Sequence, residues 1–280
     1  PREITAARTV IAKAPGGTGS SQTGPSKTGP SKTGPANPVA GASHATLERI
    51  IQNGELRVGF NADVIPFSYR NMAGRLVGFD IAVMNKLARD LRVTLKLIPF
   101  TWKSLAGDIA ADRFDIAVSG IYVTGRRLQG LTVTRFYYEN PIALVVRTGQ
   151  ARDFLSRDRV RKIKDLKIAV LDEATMIAFA RRHFPDATLE TIPSYDVLLT
   201  RKNVDAAVWT ASQARAWAAT HTGFTAVVPR GFGGNMLFAY LLHKDANELR
   251  RYVEHWLSLQ KANGFLQRMD NYFLKGQSEE

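Results

Sequence analysis

The sequence predicts an α/β protein of two similar lobes joined by two hinge strands, carried behind a flexible N-terminal tether. Three observations predict it. Short apolar runs with strand character alternate with amphipathic helical stretches from residue 45 onward. That alternation runs through two rounds, and each ends in an extended apolar stretch, PIALVVRT (141–148) and MLFAYLLH (236–243). Residues 1–44 are different: TGPSK occurs twice in tandem, and large apolar residues are rare after Ile11. Such a segment buries too little surface to offset its ordering entropy, so a mildly basic tether is expected there.

The elements follow in order. ATLERIIQNG (45–54) has Leu47, Ile50 and Ile51 at helical spacing, with Gly54 as its end. ELRVGF reads as a strand. VGFDIAVMNKLARDL (77–91) is an amphipathic helix with Phe79, Val83, Leu87 and Leu91 near one face. VTLKLIPF is a strand, WKSLAGDIAADR a helix and FDIAVSG the next strand. In the second round LKIAVL, ATLETIP and VDAAVWT are strands, TMIAFARRHF is a helix, and SYDVLLTRKN is a short helix. The last stretch, NELRRYVEHWLSLQKANGFLQRMDNYFLKG, is helical and broken at Gly264. We therefore expect lobe 1 over 45–145, lobe 2 over 146–235, a return to lobe 1 over 236–275 and a tail over 276–280. Two crossings between lobes make a hinge with a cleft.

The totals narrow the function. A chain of 280 residues, 45% of them hydrophobic, can form two lobes with cores. No apolar run approaches the ~18 to 20 residues that span a bilayer. The chain begins at proline, so a processed or excised piece is expected, one that has lost either a signal peptide or a membrane segment upstream of the tether. With no cysteine, disulfides, thiolate metal sites and a cysteine nucleophile are excluded. The net charge of +13 is scattered, apart from short clusters such as 157–164, and no helix-turn-helix, zinc finger or RNA-binding motif accompanies it. That argues for a solvated basic surface and against a nucleic-acid partner. The five histidines (44, 183, 221, 243, 255) lack metal-ligand spacing, and there is no G-x-S-x-G elbow or Walker loop. The GFGGN loop (231–235) is expected to let the second hinge turn. No metal, cofactor or catalytic residue is expected.

One stretch asks for a function. In FDIAVSGIYVTGRRLQG (114–130) a hydrophobic strand runs into Ser119 and Gly120 and then presents Arg126 and Arg127. A planar guanidinium matches a carboxylate bidentately. LRVGFNADVIPFSYRNMAGRLVGFDIAVMNKLARDL, DRFDIAVSGIYVTGRR, FYYENPIALVVRTG and VDAAVW together resemble the family-3 periplasmic, or extracellular, solute-binding proteins, which bind polar amino acids and related solutes. The resemblance spans residues 45–275. It implies a Venus-flytrap, periplasmic-binding-protein-like fold that captures a small carboxylate-bearing ligand for transport. It also implies a periplasmic or extracellular location, and as partner a membrane transporter or receptor portion, in the same polypeptide or apart from it. Through it, Arg127, three after Thr124, is the expected carboxylate anchor, Arg126 a solvated neighbour, and Ser119, Gly120 and Tyr122 further ligand contacts. Phe67, Tyr69 and Trp102 are apolar candidates for the cleft, with core packing the alternative for Phe67 and Trp102.

The second lobe departs from that family's pattern. Its Gly-Thr-Thr is here Glu173, Ala174 and Thr175, leaving Thr175 as the candidate contact. The aspartate that pairs the ligand's α-ammonium in amino-acid binders is here Thr210, with Glu139, Asp172 and Glu173 as the acids available to replace it. Segments also resemble periplasmic cyclohexadienyl dehydratases, which act on prephenate or arogenate. The general acid of those enzymes, a glutamate before Ala-Arg, corresponds to Gln213 before Ala214 and Arg215, and an amide cannot donate that proton. The expectation is a binding protein, not an enzyme. The ligand-sensing domain of a receptor and a dehydratase-like enzyme are the alternatives.

Overall fold

The computed structural model describes residues 9–11, 47–172 and 174–275. In lobe 1, β1 (Thr9–Ile11) is followed by α1 (Leu47–Asn53), β2 (Glu55–Phe60), a small antiparallel sheet of β3 (Asp63–Val64), β4 (Ser68–Arg70) and β5 (Leu76–Val77), then α2 (Phe79–Asp90) and β6 (Thr94–Pro99). α3 (Leu105–Ala110), β7 (Ile116–Ala117), α4 (Gly125–Gly130) and β8 (Thr132–Val133) lead to the long β9 (Tyr138–Arg147). Lobe 2 holds α5 (Arg157–Val160), β10 (Lys167–Leu171), α6 (Ala174–His183), β11 (Thr188–Ile192), β12 (Ala206–Thr210), α7 (Ala211–Thr220) and β13 (Phe224–Val227). β14 (Asn235–Phe238) and β15 (Leu241–Leu242) bring the chain back, and α8 (Asn247–Ala262) and α9 (Phe265–Met269) finish on lobe 1.

Each lobe is built on a mixed sheet. The lobe 1 order is β1-β6-β2-β7-β15-β8, parallel through β7 and antiparallel beyond it. The lobe 2 order is β11-β10-β12-β9-β13, with β9 antiparallel to both neighbours. β9 explains the continuous apolar run that marked it. Ile142, Leu144 and Val146 enter the large core cluster, while Ala143 and Val145 enter the cluster on the opposite face of the sheet. A strand buried on both faces has no polar alternation. α2 buries Phe79, Val83 and Leu87 as its spacing predicts, and the Trp256 indole N–H of α8 donates to Asp90 at its end at 2.8 Å.

Three expectations change. The stretch MLFAYLLH is not one strand: β14 pairs with β9, β15 pairs with β7 and β8, and Ala239 and Tyr240 join them. Tyr240 is buried with its hydroxyl engaged, so the apolar run hides a polar junction. Within the predicted tether, Thr9–Ile11 is a strand parallel to β6 along Leu95–Leu97, so β-branched residues extend the sheet edge. The rest of 1–44 lies outside the described residues, as do Glu173 and the tail 276–280. β13 and the small sheet had no counterpart in the sequence reading, because strands of two to four residues carry too little periodicity. The predicted GFGGN turn is real at Gly234, whose φ of +100° suits glycine and which directly precedes β14. Among the described residues no helix is long and apolar enough to cross a membrane.

Candidate functional site

The site is built on the turn after β7. Ser119 has φ +112° and Gly120 φ +57°. A serine in that region is strained and persists only where its surroundings over-determine it. Here they do. The Asp80 carboxylate, wholly buried at the start of α2, accepts through Oδ2 from the N–H groups of Ser119 at 2.9 Å and Gly120 at 2.7 Å. The Ser119 hydroxyl oxygen accepts from the Asn61 N–H at 2.9 Å and lies 2.6 Å from Ser68 Oγ. Behind the turn, a Cβ on Gly120 would stand 2.6 Å from the Phe67 ring, which only a glycine avoids.

The turn therefore presents less to a ligand than the sequence led us to expect. The Ser119 and Gly120 N–H groups are engaged by Asp80. Phe67 is 0% exposed and packs edge-on against Phe79, Tyr138 and Phe238, so of its two readings the structure gives core packing. What lies forward of the turn is Tyr122, Trp102 and Arg127. Tyr122 bridges to Phe238, and its carbonyl accepts from Arg127 Nη1 at 2.5 Å. Thr124 caps α4, its hydroxyl oxygen accepting from the Arg127 N–H at 3.3 Å. The Arg127 guanidinium carbon lies 4.9 Å from the centre of the Tyr122 ring and 5.9 Å from that of Trp102, which is 46% exposed. Aromatic faces favour a cation. Among the described residues no carboxylate pairs with Arg127, whereas Arg113, Arg201 and Arg250 each hold one and Arg57 holds two. Tyr69 stands apart on β4, half-buried, and burial and Tyr272 push its hydroxyl above the usual range.

The second-lobe turn after β12 has different chemistry. Thr210 is 3% exposed, and its hydroxyl donates to Gln213 Oε1 at 2.5 Å. Beside it the buried Asn140 of β9 makes a reciprocal pair with Ser212, Nδ2 to Oγ at 2.7 Å and Ser212 N–H to Oδ1 at 3.2 Å. Trp209 stacks on Tyr195 with centroids 3.5 Å apart. Of the acids offered as replacements for an aspartate at 210, Glu139 is exposed and accepts from Asn235 at 3.0 Å, and Asp172 is exposed at the end of β10. Thr175 lies in the first turn of α6. The turn thus offers hydroxyls and amides.

Sequence reasoning missed Asp80, Tyr137, Tyr240, Asn140 and Ser212. Asp80 was visible inside Gly-Phe-Asp, but only as a helix opening. The Tyr137 and Tyr240 hydroxyls each donate to it, to Oδ2 and Oδ1 respectively, at 3.1 Å. Burial pushes the Asp80 carboxyl up to about 6, against four donors that favour its charged form.

Two α/β lobes hung on two crossovers, with Arg127 held beside one strand end and no carboxylate on it among the described residues, have the build of a hinged solute-binding protein. The chain belongs to the bacterial extracellular solute-binding proteins, family 3, which it matches over residues 56–276. Proteins of that family are periplasmic or extracellular. A cyclohexadienyl dehydratase of Pseudomonas aeruginosa is 30% identical over 236 residues, 82% of this chain and 87% of that protein. An L-arginine-binding protein of the same organism is 26% identical over 137 residues, 49% of this chain and 51% of its own length. Among solved structures, an ancestral cationic amino-acid solute-binding protein superposes with a TM-score of 0.72 at 26% identity, covering 81% of this chain and 99% of its own.

Proposed function

We propose that this chain captures a small carboxylate-bearing solute between its lobes and delivers it to a membrane transporter. The observation that carries the reading is Arg127, held by the Tyr122 carbonyl and two aromatic faces with its charge unpaired among the described residues. A guanidinium so placed is preorganised for a carboxylate, and closure of the second lobe would strengthen the pair by excluding water. The neutral Thr210–Gln213 turn favours ligands that do not require an α-ammonium, because a buried ammonium needs a counter-charge. Because Thr9–Ile11 pair on the lobe 1 sheet, a connection to a membrane portion would run through the chain before them.

A dehydratase-like enzyme is the second reading, favoured by the 30% identity to a cyclohexadienyl dehydratase. Gln213 weighs against it, since its amide oxygen accepts a hydrogen bond where a proton would have to be given.

The test is thermal unfolding against amino acids, their des-amino analogues, dicarboxylates and prephenate, for the wild type and Arg127→Ala. A ligand at a hundred times its dissociation constant adds ~2.7 kcal/mol, roughly 5 to 10 °C at this size. We expect des-amino acids to stabilise the wild type and not Arg127→Ala. Stabilisation by α-amino acids alone would overturn the ligand class. Conversion of prephenate to phenylpyruvate would establish the enzyme instead.

A further inference from the structure

Asp80 sits where three parts of the molecule meet. Its Oδ2 takes the Ser119 and Gly120 N–H groups of the turn that leads to Arg127. The same oxygen takes the hydroxyl of Tyr137, the residue just before the first crossover strand β9. Its Oδ1 takes the hydroxyl of Tyr240, in the junction that follows the second crossover strand β14. The two tyrosine rings stack 4.4 Å apart, and Tyr137 also stacks on Phe79 at 5.8 Å. The crossovers are tied to the turn by backbone as well. The Val123 N–H donates to the Leu237 carbonyl at 2.9 Å, Ala239 N–H to Ile121 at 3.0 Å and Tyr137 N–H to Phe238 at 3.0 Å. Arg127 then hangs from the Tyr122 carbonyl within this same stretch.

We propose that Asp80 is a positioning residue: one buried carboxylate fixes the Ser119–Gly120 turn and both interlobe crossovers together, so that the geometry of the Arg127 anchor and the setting of the hinge are governed by the same group. The anchor part rests on the function proposed above, and the coupling of turn to crossovers does not.

The chemistry requires a carboxylate. Four donors converge on it, and only an acceptor-only group meets all four. Asparagine of the same shape would aim an N–H₂ at one set of donors. Among the described residues no charged side chain faces the carboxylate, and the two tyrosine hydroxyls are the titratable groups around it. Its proton therefore reports on the whole assembly. With the charge present the four donors are held, and with the proton added one oxygen becomes a donor facing donors.

The measurement needs no ligand. In ¹⁵N-labelled protein the Gly120 and Ser119 amide shifts are followed between pH 4.5 and 8 for the wild type, Asp80→Asn, Tyr137→Phe and Tyr240→Phe. The wild-type amides are expected to titrate together, and Asp80→Asn to abolish the titration. Tyr240→Phe is the decisive variant, because that hydroxyl touches neither amide and acts only through Oδ1. Losing a donor to the charged form should raise the carboxyl's proton affinity about threefold or more, moving the Gly120 titration up in pH. The hinge is read by spin labels at Met72→Cys and Leu199→Cys, both exposed, in this cysteine-free chain. Asp80→Asn and the two phenylalanine variants should broaden the interlobe distance distribution. Unchanged Gly120 titration and unchanged distances in folded Tyr240→Phe protein would overturn the proposal. The phenylalanine variants keep the carboxylate, so the test holds if Asp80→Asn does not fold. Failure of every carboxylate to bind would sink the transport reading and leave this coupling standing.

Discussion

The turns after β7 and β12 occupy comparable places in their two lobes and are braced in opposite ways. In the first lobe a strained Ser119 and a left-handed Gly120 are held by a wholly buried carboxylate, with Phe67 filling the space behind. In the second lobe Thr210 donates to Gln213, and Asn140 and Ser212 pair reciprocally beside them. The first turn is set by groups drawn from α2 and both crossovers. The second is set mainly by its immediate neighbours and one asparagine of β9. A firmly held cation and a more lightly braced opposing surface would suit the carboxylate capture proposed above.

That contrast can be broken experimentally. The largest effect is expected from Asp80→Ala, which strands four buried donors and should cost about 3 to 5 kcal/mol in urea unfolding; a loss below that of Thr210→Ala would erase the contrast. The pH dependence of stability comes next. Asp80 has its carboxyl raised from 3.8 to about 6 in the fold, so the native state binds its proton more tightly than the unfolded chain does. Its contribution is therefore most favourable below about pH 4, is lost as pH rises toward 6, and levels off above. The loss is about 3 kcal/mol, and Asp80→Asn should remove this component of the curve. Gly120→Ala must place a methyl 2.6 Å from the Phe67 ring at φ +57°, and about 2 kcal/mol is expected by calorimetry. Thr210→Ala removes one hydroxyl bond and should cost about 1 kcal/mol. If it exceeds the glycine substitution, the second turn is the more tightly braced.

Much of this architecture was legible in the sequence. Periodicity marked α2, the alternating runs marked the sheet strands, and the doubly buried β9 showed as an unbroken apolar stretch. Thr124 and Arg127 were found through the resemblance, whose Thr-x-x-Arg turn is short enough to show in sequence; the structure adds that Thr124 caps the helix carrying Arg127. Asp80 was not, because its partners lie 39, 40, 57 and 160 positions away in the chain. Phe67 and Trp102 read alike as aromatics after a strand. Only the packing separates them, with Phe67 against three rings and Trp102 half in solvent beside Arg127. Tyr240 was hidden by its apolar neighbours, which disguised a polar junction as part of a strand.

The placing of two indoles has an optical consequence. Trp102 flanks the guanidinium of one lobe, and Trp209 lies on Tyr195 one residue before Thr210 in the other. The first is solvent-exposed beside a cation and the second is stacked on a phenol, so their emission should differ in wavelength and quenching. With Trp217 and Trp256 replaced by phenylalanine, the fluorescence of the remaining pair would follow each jaw separately, and the protein would carry its own two-channel dye for the arrival of a solute.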